Sequence, residues 1–196
     1  MTAPAASPPP PAVSSRRLVF TLAGSGALAG FLLVFAYQAS QPTIAAHKEA
    51  MLRRAVLEVL KEPARFETLD VSGERVYAGY DAEGRLVGYA IAAAAPGFAD
   101  TVKVIFGYDP ATRTLLGMKV LESKETPGLG DKIEKEPFVG QFEGAKTPLV
   151  GVKGGGAGEG IDMITGATIS SRIVISIINR ALARLAPALE GVEGRG

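Results

Sequence analysis

The stretch that decides the fold reads Arg75-Val-Tyr-Ala-Gly-Tyr80, then Asp81-Ala-Glu-Gly84, then Arg85-Leu-Val-Gly-Tyr-Ala-Ile-Ala-Ala93. Two runs rich in strand-forming residues flank four turn-forming ones, which is the pattern of a hairpin. Thr101 to Tyr108 and Thr114 to Leu121 repeat the device around Asp109-Pro-Ala-Thr-Arg113, where Pro110 pre-sets the turn. Four strands in two hairpins predict a mostly antiparallel sheet rather than a doubly wound one. Helical patterns lie on both sides of it. The fold class is α+β.

Moving toward the N-terminus, Ser40 to Lys61 places Ile44, Met51, Leu52, Ala55, Val56, Val59 and Leu60 on a rough apolar stripe, and Pro63 stops the helix. Upstream, Leu18 to Tyr37 runs without a charge. At about 1.5 Å per residue it spans roughly 30 Å, the thickness of a bilayer's hydrocarbon core. Gly24, Ser25 and Gly26 lower its hydropathy but are tolerated in membrane helices. A cleaved signal peptide also starts with basic residues and an apolar run. Here the run exceeds the usual length of roughly 7–15 residues, and Phe35 to Gln41 offers no clean small-x-small site. An uncleaved anchor is expected. Arg16 and Arg17 abut its N-terminal end, and no Lys or Arg follows until Lys48. That asymmetry predicts a cytoplasmic N-terminus and an outward main domain, with Lys48, Arg53 and Arg54 counting against it.

On the C-terminal side, Ser123 to Gly130 is too rich in Gly and Pro for a regular element. Asp131 to Phe142 reads as a short helix, broken or started by Pro137. Ile169 to Leu185 carries Ile173, Ile177, Ala181 and Leu185 at helical spacing, and Pro187 is expected to end it. The organisation is then a disordered Pro-rich tail over 1–17, a transmembrane anchor over 18–37, a juxtamembrane helix over 38–62, a folded domain over 63–186 and a C-terminal tail over 187–196. No internal repeat is present.

Composition limits the chemistry. The chain has 196 residues, 21 Lys+Arg, 20 Asp+Glu, one His and no Cys. Without cysteine there is no Cys-ligated iron–sulfur cluster, no Cys-attached haem, no disulfide and no thiol nucleophile. One His cannot build a multi-His zinc site, although carboxylate sites remain open, and no metal ligand is assigned. A net charge of +1 gives no electrostatic reason to expect nucleic acid. Without Arg16 and Arg17 the remainder carries one net negative charge. An electron carrier built on this chain needs an organic cofactor.

Two segments carry candidate chemistry. Gly151-Val-Lys-Gly-Gly-Gly-Ala-Gly-Glu-Gly160 has no Gly-Lys-Ser/Thr ending and no G-x-G-x-x-G spacing. It is either a flexible surface connection or a backbone that a ligand approaches closely. Asp162-Met-Ile-Thr-Gly-Ala-Thr168-Ile-Ser-Ser171 leads into the last helix with four hydroxyls, on Thr165, Thr168, Ser170 and Ser171. A helix N-terminus preceded by small residues suits a phosphate, and equally one hydroxyl there serves as a cap.

Asp-x-x-Thr-Gly-Ala-Thr at 162–168 resembles the flavinylation motif of the FMN-binding domain family. Glu125-Thr-Pro-Gly-Leu-Gly130 followed by Asp131 resembles the same family's second signature, a loop against the flavin ring. Within it, the chain is similar to the G subunits of Rnf-type electron-transport complexes, and less closely to the C subunits of sodium-pumping NADH:quinone reductases, over roughly residues 18–186. The resemblance implies FMN bound covalently to Thr168 as a phosphoester, beside Thr165, Gly166 and Ala167, the last two leaving room for it. It implies a flavin transferase that recognises Asp162, which otherwise is a surface acid. Leu129, between Gly128 and Gly130, offers an aliphatic wall for the ring, and Thr126 a hydrogen bond to its edge. Lys153 is either a cationic partner for the phosphate or reduced ring, or an ordinary exposed lysine. His47, Glu122 and Lys124 are given no role, and no residue is catalytic.

The resemblance further implies an electron-transfer subunit of a ferredoxin–NAD oxidoreductase complex coupled to Na+ or H+ translocation. Its partners are other membrane subunits, including a second flavin-bearing subunit and iron–sulfur subunits, together with membrane lipid. It lies in a bacterial inner membrane with a single pass, the N-terminus cytoplasmic and the FMN domain periplasmic. The alternatives are an FMN-bearing subunit of another extracytoplasmic respiratory system and a non-redox anchored assembly domain.

Overall fold

Turn chemistry sets the sheet. The computed structural model describes residues 14–154 and 160–190. Most of the Pro-rich tail (1–13), part of the glycine stretch (155–159) and the end of the C-terminal tail (191–196) lie outside the described residues. Strands β1 (Arg65–Val71), β2 (Glu74–Tyr80), β3 (Leu86–Pro96), β4 (Thr101–Asp109) and β5 (Thr114–Glu122) pair in chain order, each antiparallel to the next. The antiparallel expectation holds, with one strand more than the four expected. The additional strand, β1, meets β2 through Ser72 and Gly73, whose φ values are 57° and 81°. Two successive positive φ values make the tight turn whose twist matches that of the strands. The Gly73 N–H also donates to Asp70 Oδ1 at 3.0 Å. Most of β1 is not buried, so it lacks the alternating apolar signal that marks the other four.

Period-two alternation sorts the side chains onto two faces. Val76 and Ala78, Tyr89 and Ile91, and Val104, Phe106 and Tyr108 pack with Val174, Ile178, Ala181, Leu182 and Leu185 of the last helix, α3 (Thr168–Glu190). Ala90 and Ile105 face the other way, against Ala55, Val56, Val59 and Leu60. These belong to the end of α1 (Ser15–Val59) and the residue after it. That face is partly bare. Gly79 pairs with Gly88, and Gly107 with Gly117, across two strand pairs. A Cβ on Gly107 would sit 2.2 Å from the Val59 carbonyl oxygen, and one on Gly79 would sit 2.7 Å from Leu60 Cδ1. The missing side chains let the helix end rest on sheet backbone.

The chain divides into two compact units, Met1–Lys48 and Glu49–Gly196. In the first, every described residue is exposed and residues 15–48 are helical. Among the described residues one helix, α1, is long and apolar enough to cross a membrane. The sequence separates an anchor from a following helix; the structure has one helix, with Pro42 inside it. Proline removes a single intrahelical bond there without ending the run. Ile44 and Met51, expected on the apolar stripe, are exposed. The packed stripe begins at Leu52. Before Pro63, Lys61 and Glu62 take φ values of 58° and 57°, and the Glu62 N–H donates to the Leu57 carbonyl at 2.8 Å.

Three short turns replace the single helix expected over Asp131 to Phe142: a 3-10 turn at Gly130–Glu134, α2 (Glu136–Val139) and a 3-10 turn at Gly140–Phe142. Pro137 starts α2, as its fixed φ favours. α3 continues past Pro187 to Glu190, correcting the expected stop. Leu185 and Leu189 are both fully buried, so core packing on either side holds the helix through the proline. Between α2 and α3, β6 (Gly151–Val152) and β7 (Ile161–Asp162) form a small parallel pair.

Candidate functional site

The site grows from the turn that launches α3. The Ala167 N–H donates to the Ile164 carbonyl at 3.0 Å, and Gly166, at the third position of this turn, has φ of 85°. A positive φ there is what a type II turn requires, and glycine adopts it without steric cost. The first helical bond follows, from the Ser171 N–H to the Ala167 carbonyl. The amides of Thr168, Ile169 and Ser170 therefore precede the helical ladder, at the positive end of the helix dipole.

The four hydroxyls of this segment separate into two pairs. Ser171 Oγ donates to the Ala167 carbonyl at 3.0 Å and accepts from the Ile164 N–H at 3.1 Å. Ser170 Oγ donates to Glu125 Oε2 at 2.7 Å. Both serines are buried and serve the fold. Thr165 is exposed and Thr168 half-buried, and among the described residues no hydrogen bond engages either hydroxyl. The two serine hydroxyls are engaged, and the Thr168 oxygen remains available.

Glu125 brings the second motif to this turn. Its side chain is only 7% exposed. Oε1 accepts from the Phe98 N–H at 2.9 Å and the Ala99 N–H at 3.2 Å, while Oε2 takes the Ser170 hydroxyl. One carboxyl thus joins the β3–β4 turn, the Thr126 to Gly130 loop and the first turn of α3. Gly130 makes room for it, since a Cβ there would lie 2.7 Å from the Glu125 Cβ and 3.2 Å from Ser170 Oγ. The loop closes on itself through the Thr126 carbonyl, which accepts from Leu129 and Gly130 N–H at 3.1 and 2.9 Å. Leu129 reaches Gly166: a Cβ on Gly166 would meet Leu129 Cδ2 at 3.6 Å. Hence Glu125 to Gly130 and Thr165 to Thr168, remote from each other in the chain, form one surface.

Three large apolar side chains on these segments are exposed. Phe98, Leu129 and Ile169 are 68%, 49% and 53% exposed, each on a segment that Glu125 ties. Thr126 and Gly128 are exposed beside them. Asp162 sits in β7, where its N–H donates to Gln141 Oε1 at 2.6 Å and its carbonyl accepts from Gln141 Nε2 at 3.3 Å. Asp162 Oδ1 and Asp131 Oδ1 are buried oxygens without a hydrogen-bond partner. Lys153 follows β6 on the same side of the chain path, because Val152 accepts through its carbonyl from the Met163 N–H at 2.8 Å. Its side chain is exposed, with no ion pair among the described residues. The structure does not bring Lys153 into contact with Thr168.

FMN fits this set of residues. A phosphate needs donors and positive potential, which the first turn of α3 supplies. A flat apolar ring needs exposed apolar side chains beside a bare backbone, which Leu129 and Gly166 provide. Sequence reasoning passed over Phe98, Ile169 and the joining role of Glu125. The signal was a glutamate inside a Gly/Pro-rich loop, a place where a charged side chain has no helical or strand neighbour to pair with.

The chain has relatives among known proteins. Residues 97–183 match the FMN-binding domain family, a span that begins at the turn held by Glu125. The G subunit of the ion-translocating oxidoreductase complex of Methanosarcina acetivorans is 31% identical over 177 residues, covering 85% of this chain and 92% of that protein. The G subunit of the proton-translocating ferredoxin:NAD(+) oxidoreductase complex of Clostridium ljungdahlii is 26% identical over 157 residues, covering 79% and 83%. Among solved structures, the crystal structure of Shewanella oneidensis NqrC is similar at 23% identity and a TM-score of 0.48, over 65% of each chain.

Proposed function

Because the chain belongs to the family of G subunits of ion-translocating oxidoreductase complexes and carries an FMN-binding domain, we propose that it holds FMN covalently on Thr168 and relays electrons through it to neighbouring subunits. Electron transfer within such a complex, alongside other subunits, follows from the family. The observation that carries the attachment is the Thr168 hydroxyl, left unengaged at the start of α3 while Ser170 and Ser171 do the structural work.

The residues divide the labour as follows. Thr168 provides the oxygen of a phosphodiester, and the α3 terminus stabilises its remaining negative charge. Gly166 and Ala167 leave the space beside it, and Thr165 adds a second free hydroxyl. Leu129, flanked by Gly128 and Gly130, forms a wall for the ring, and Thr126 offers a hydrogen bond to its edge. Lys153, exposed after β6, is the candidate cation for the phosphate or the reduced ring. When bound, the flavin supplies the electron-accepting and electron-donating chemistry that a chain without cysteine lacks. Asp162 serves recognition by the flavin transferase that attaches it.

In this reading the complex couples ferredoxin–NAD electron transfer to Na+ or H+ movement, with a second flavin-bearing subunit and iron–sulfur subunits as partners. Residues 18–37 span a bacterial inner membrane once, the N-terminus lies in the cytoplasm and the FMN domain in the periplasm. No ionisable residue lies between Leu18 and Tyr37, so the span anchors and does not conduct ions. The test is Thr168→Ala, co-produced with a flavin transferase. Wild type is expected to give a fluorescent flavin band after denaturing electrophoresis, and the variant none; a band in the variant refutes the assignment.

A further inference from the structure

A charged group buried next to an electron carrier acts on it whether or not it touches it. Three donors converge on the two oxygens of Glu125, the N–H groups of Phe98 and Ala99 and the hydroxyl of Ser170. The two backbone N–H groups can only donate, and the Ser170 hydroxyl lies within hydrogen-bond reach of the second oxygen, a ring of donors that suits a carboxylate. Among the described residues no cation pairs with it. The adjacent Lys124 is engaged elsewhere, with Asp100 at 3.1 Å. The Thr101 N–H and this lysine together hold the Asp100 carboxyl below the ordinary aspartate value. Among the described residues the Glu125 oxygens are thus faced by dipoles and not by a counter-ion.

The surroundings of these oxygens are the proposed flavin site. Ser170 is two residues past Thr168, and Glu125 opens the loop that carries Leu129. We infer that Glu125 has a second role beyond holding the three segments together: its negative charge sets the flavin's reduction potential, holding it low. Each electron added to the flavin adds negative charge, and a fixed negative charge nearby opposes that addition. This rests on the attachment of FMN at Thr168. With charges on the order of 10 Å apart in a medium of effective dielectric near 20, removing one shifts a one-electron equilibrium by roughly tenfold.

The structure also separates this role from a merely mechanical one. Glu125→Gln keeps the side chain's shape and an oxygen for the two amides but removes the charge. Ser170→Ala breaks the same clasp from the other side and leaves the charge in place with one donor fewer. If Glu125 only positions the loop, both variants displace it and shift the potential alike. If its charge acts, they diverge.

The experiment is a redox titration of the full chain in detergent, with flavin loading read separately as bound flavin per protein. In Glu125→Gln the ratio of reduced to oxidised flavin at a fixed applied potential is expected to rise about tenfold. In Ser170→Ala, where the charge is less well neutralised, it is expected to fall. An unchanged potential in loaded Glu125→Gln, or the same upward shift in both variants, overturns the inference. Where Glu125→Gln carries no flavin, Ser170→Ala decides: a lowered potential supports the role, and an unmoved or raised one refutes it. A wild-type chain without covalent flavin would instead refute the attachment at Thr168.

Discussion

Gly166 concentrates the demands of the site at one residue. Its φ of 85° lies in the region that side chains with a Cβ enter at a cost of roughly 1–2 kcal/mol, and its bare α-carbon faces Leu129. Gly166→Ala is thus expected to lower the thermal midpoint of unfolding by a few degrees, about 2–4 °C per kcal/mol in a chain of this size. It is also expected to lower the yield of attached flavin, since the turn that presents Thr168 is distorted. Unfolding followed by circular dichroism, with flavin fluorescence measured on the same preparations, checks both. A variant as stable and as fully loaded as wild type would show that the turn geometry is not needed. Neighbouring Thr165 and Thr168 were legible in the sequence as hydroxyls at a helix start, and the motif resemblance pointed to Thr168, but the structural engagement of Ser170 and Ser171 was not legible. Only the three-dimensional partners of Ser170 and Ser171 separate structural hydroxyls from free ones.

At the scale of elements, the seating of the end of α1 on the sheet is the contact most open to attack. Gly107 is the tightest point, because an added Cβ would lie 2.2 Å from the Val59 carbonyl oxygen, and the neighbour there is backbone that cannot rotate away. Gly107→Ala is expected to cost on the order of 3 kcal/mol as overpacking, a fall of roughly 6–12 °C in the midpoint of unfolding. Gly30→Ala, where an added Cβ meets nothing within 4 Å, is the matched control and is expected to leave the midpoint in place. A tolerated Gly107→Ala would mean that α1 does not rest on the sheet. Strands β2 to β5 were readable because alternation and turn residues agree, as in Tyr89-Ala90-Ile91, whose side chains go to opposite faces. β1 was not, since its residues are half-buried at best until Val71; a Ser-Gly pair was its one local mark. The extension of α3 through Pro187 was hidden for a different reason: the local rule against proline loses to the burial of Leu189, a contact that exists only in the folded domain. The sheet glycines were visible as composition but had no meaning before the register aligned Gly79 with Gly88 and Gly107 with Gly117.

At the scale of the whole molecule, the proposed orientation rests on Arg16 and Arg17 and is opposed by Lys48, Arg53 and Arg54. The positive charges nearest the span on its two sides are close enough in number that sequence arithmetic alone leaves a narrow margin. Packing changes the weight of the opposing group. Residues 49–59 of α1 belong to the folded unit, and Arg53 lies 5.5 Å from the centre of the Phe66 ring, a cation–π distance. A charge incorporated in a folded domain is translocated with it and counts less than one in a short flanking segment. The absence of cysteine gives a clean assay, because one introduced thiol is then the sole reactive thiol in the chain. Ala82→Cys places it in the exposed β2–β3 turn, and Ser14→Cys just before the span. In intact cells a membrane-impermeant maleimide that passes the outer membrane is expected to label Ala82→Cys and to spare Ser14→Cys until the inner membrane is opened. The reverse pattern would place the FMN domain in the cytoplasm and overturn the proposed orientation.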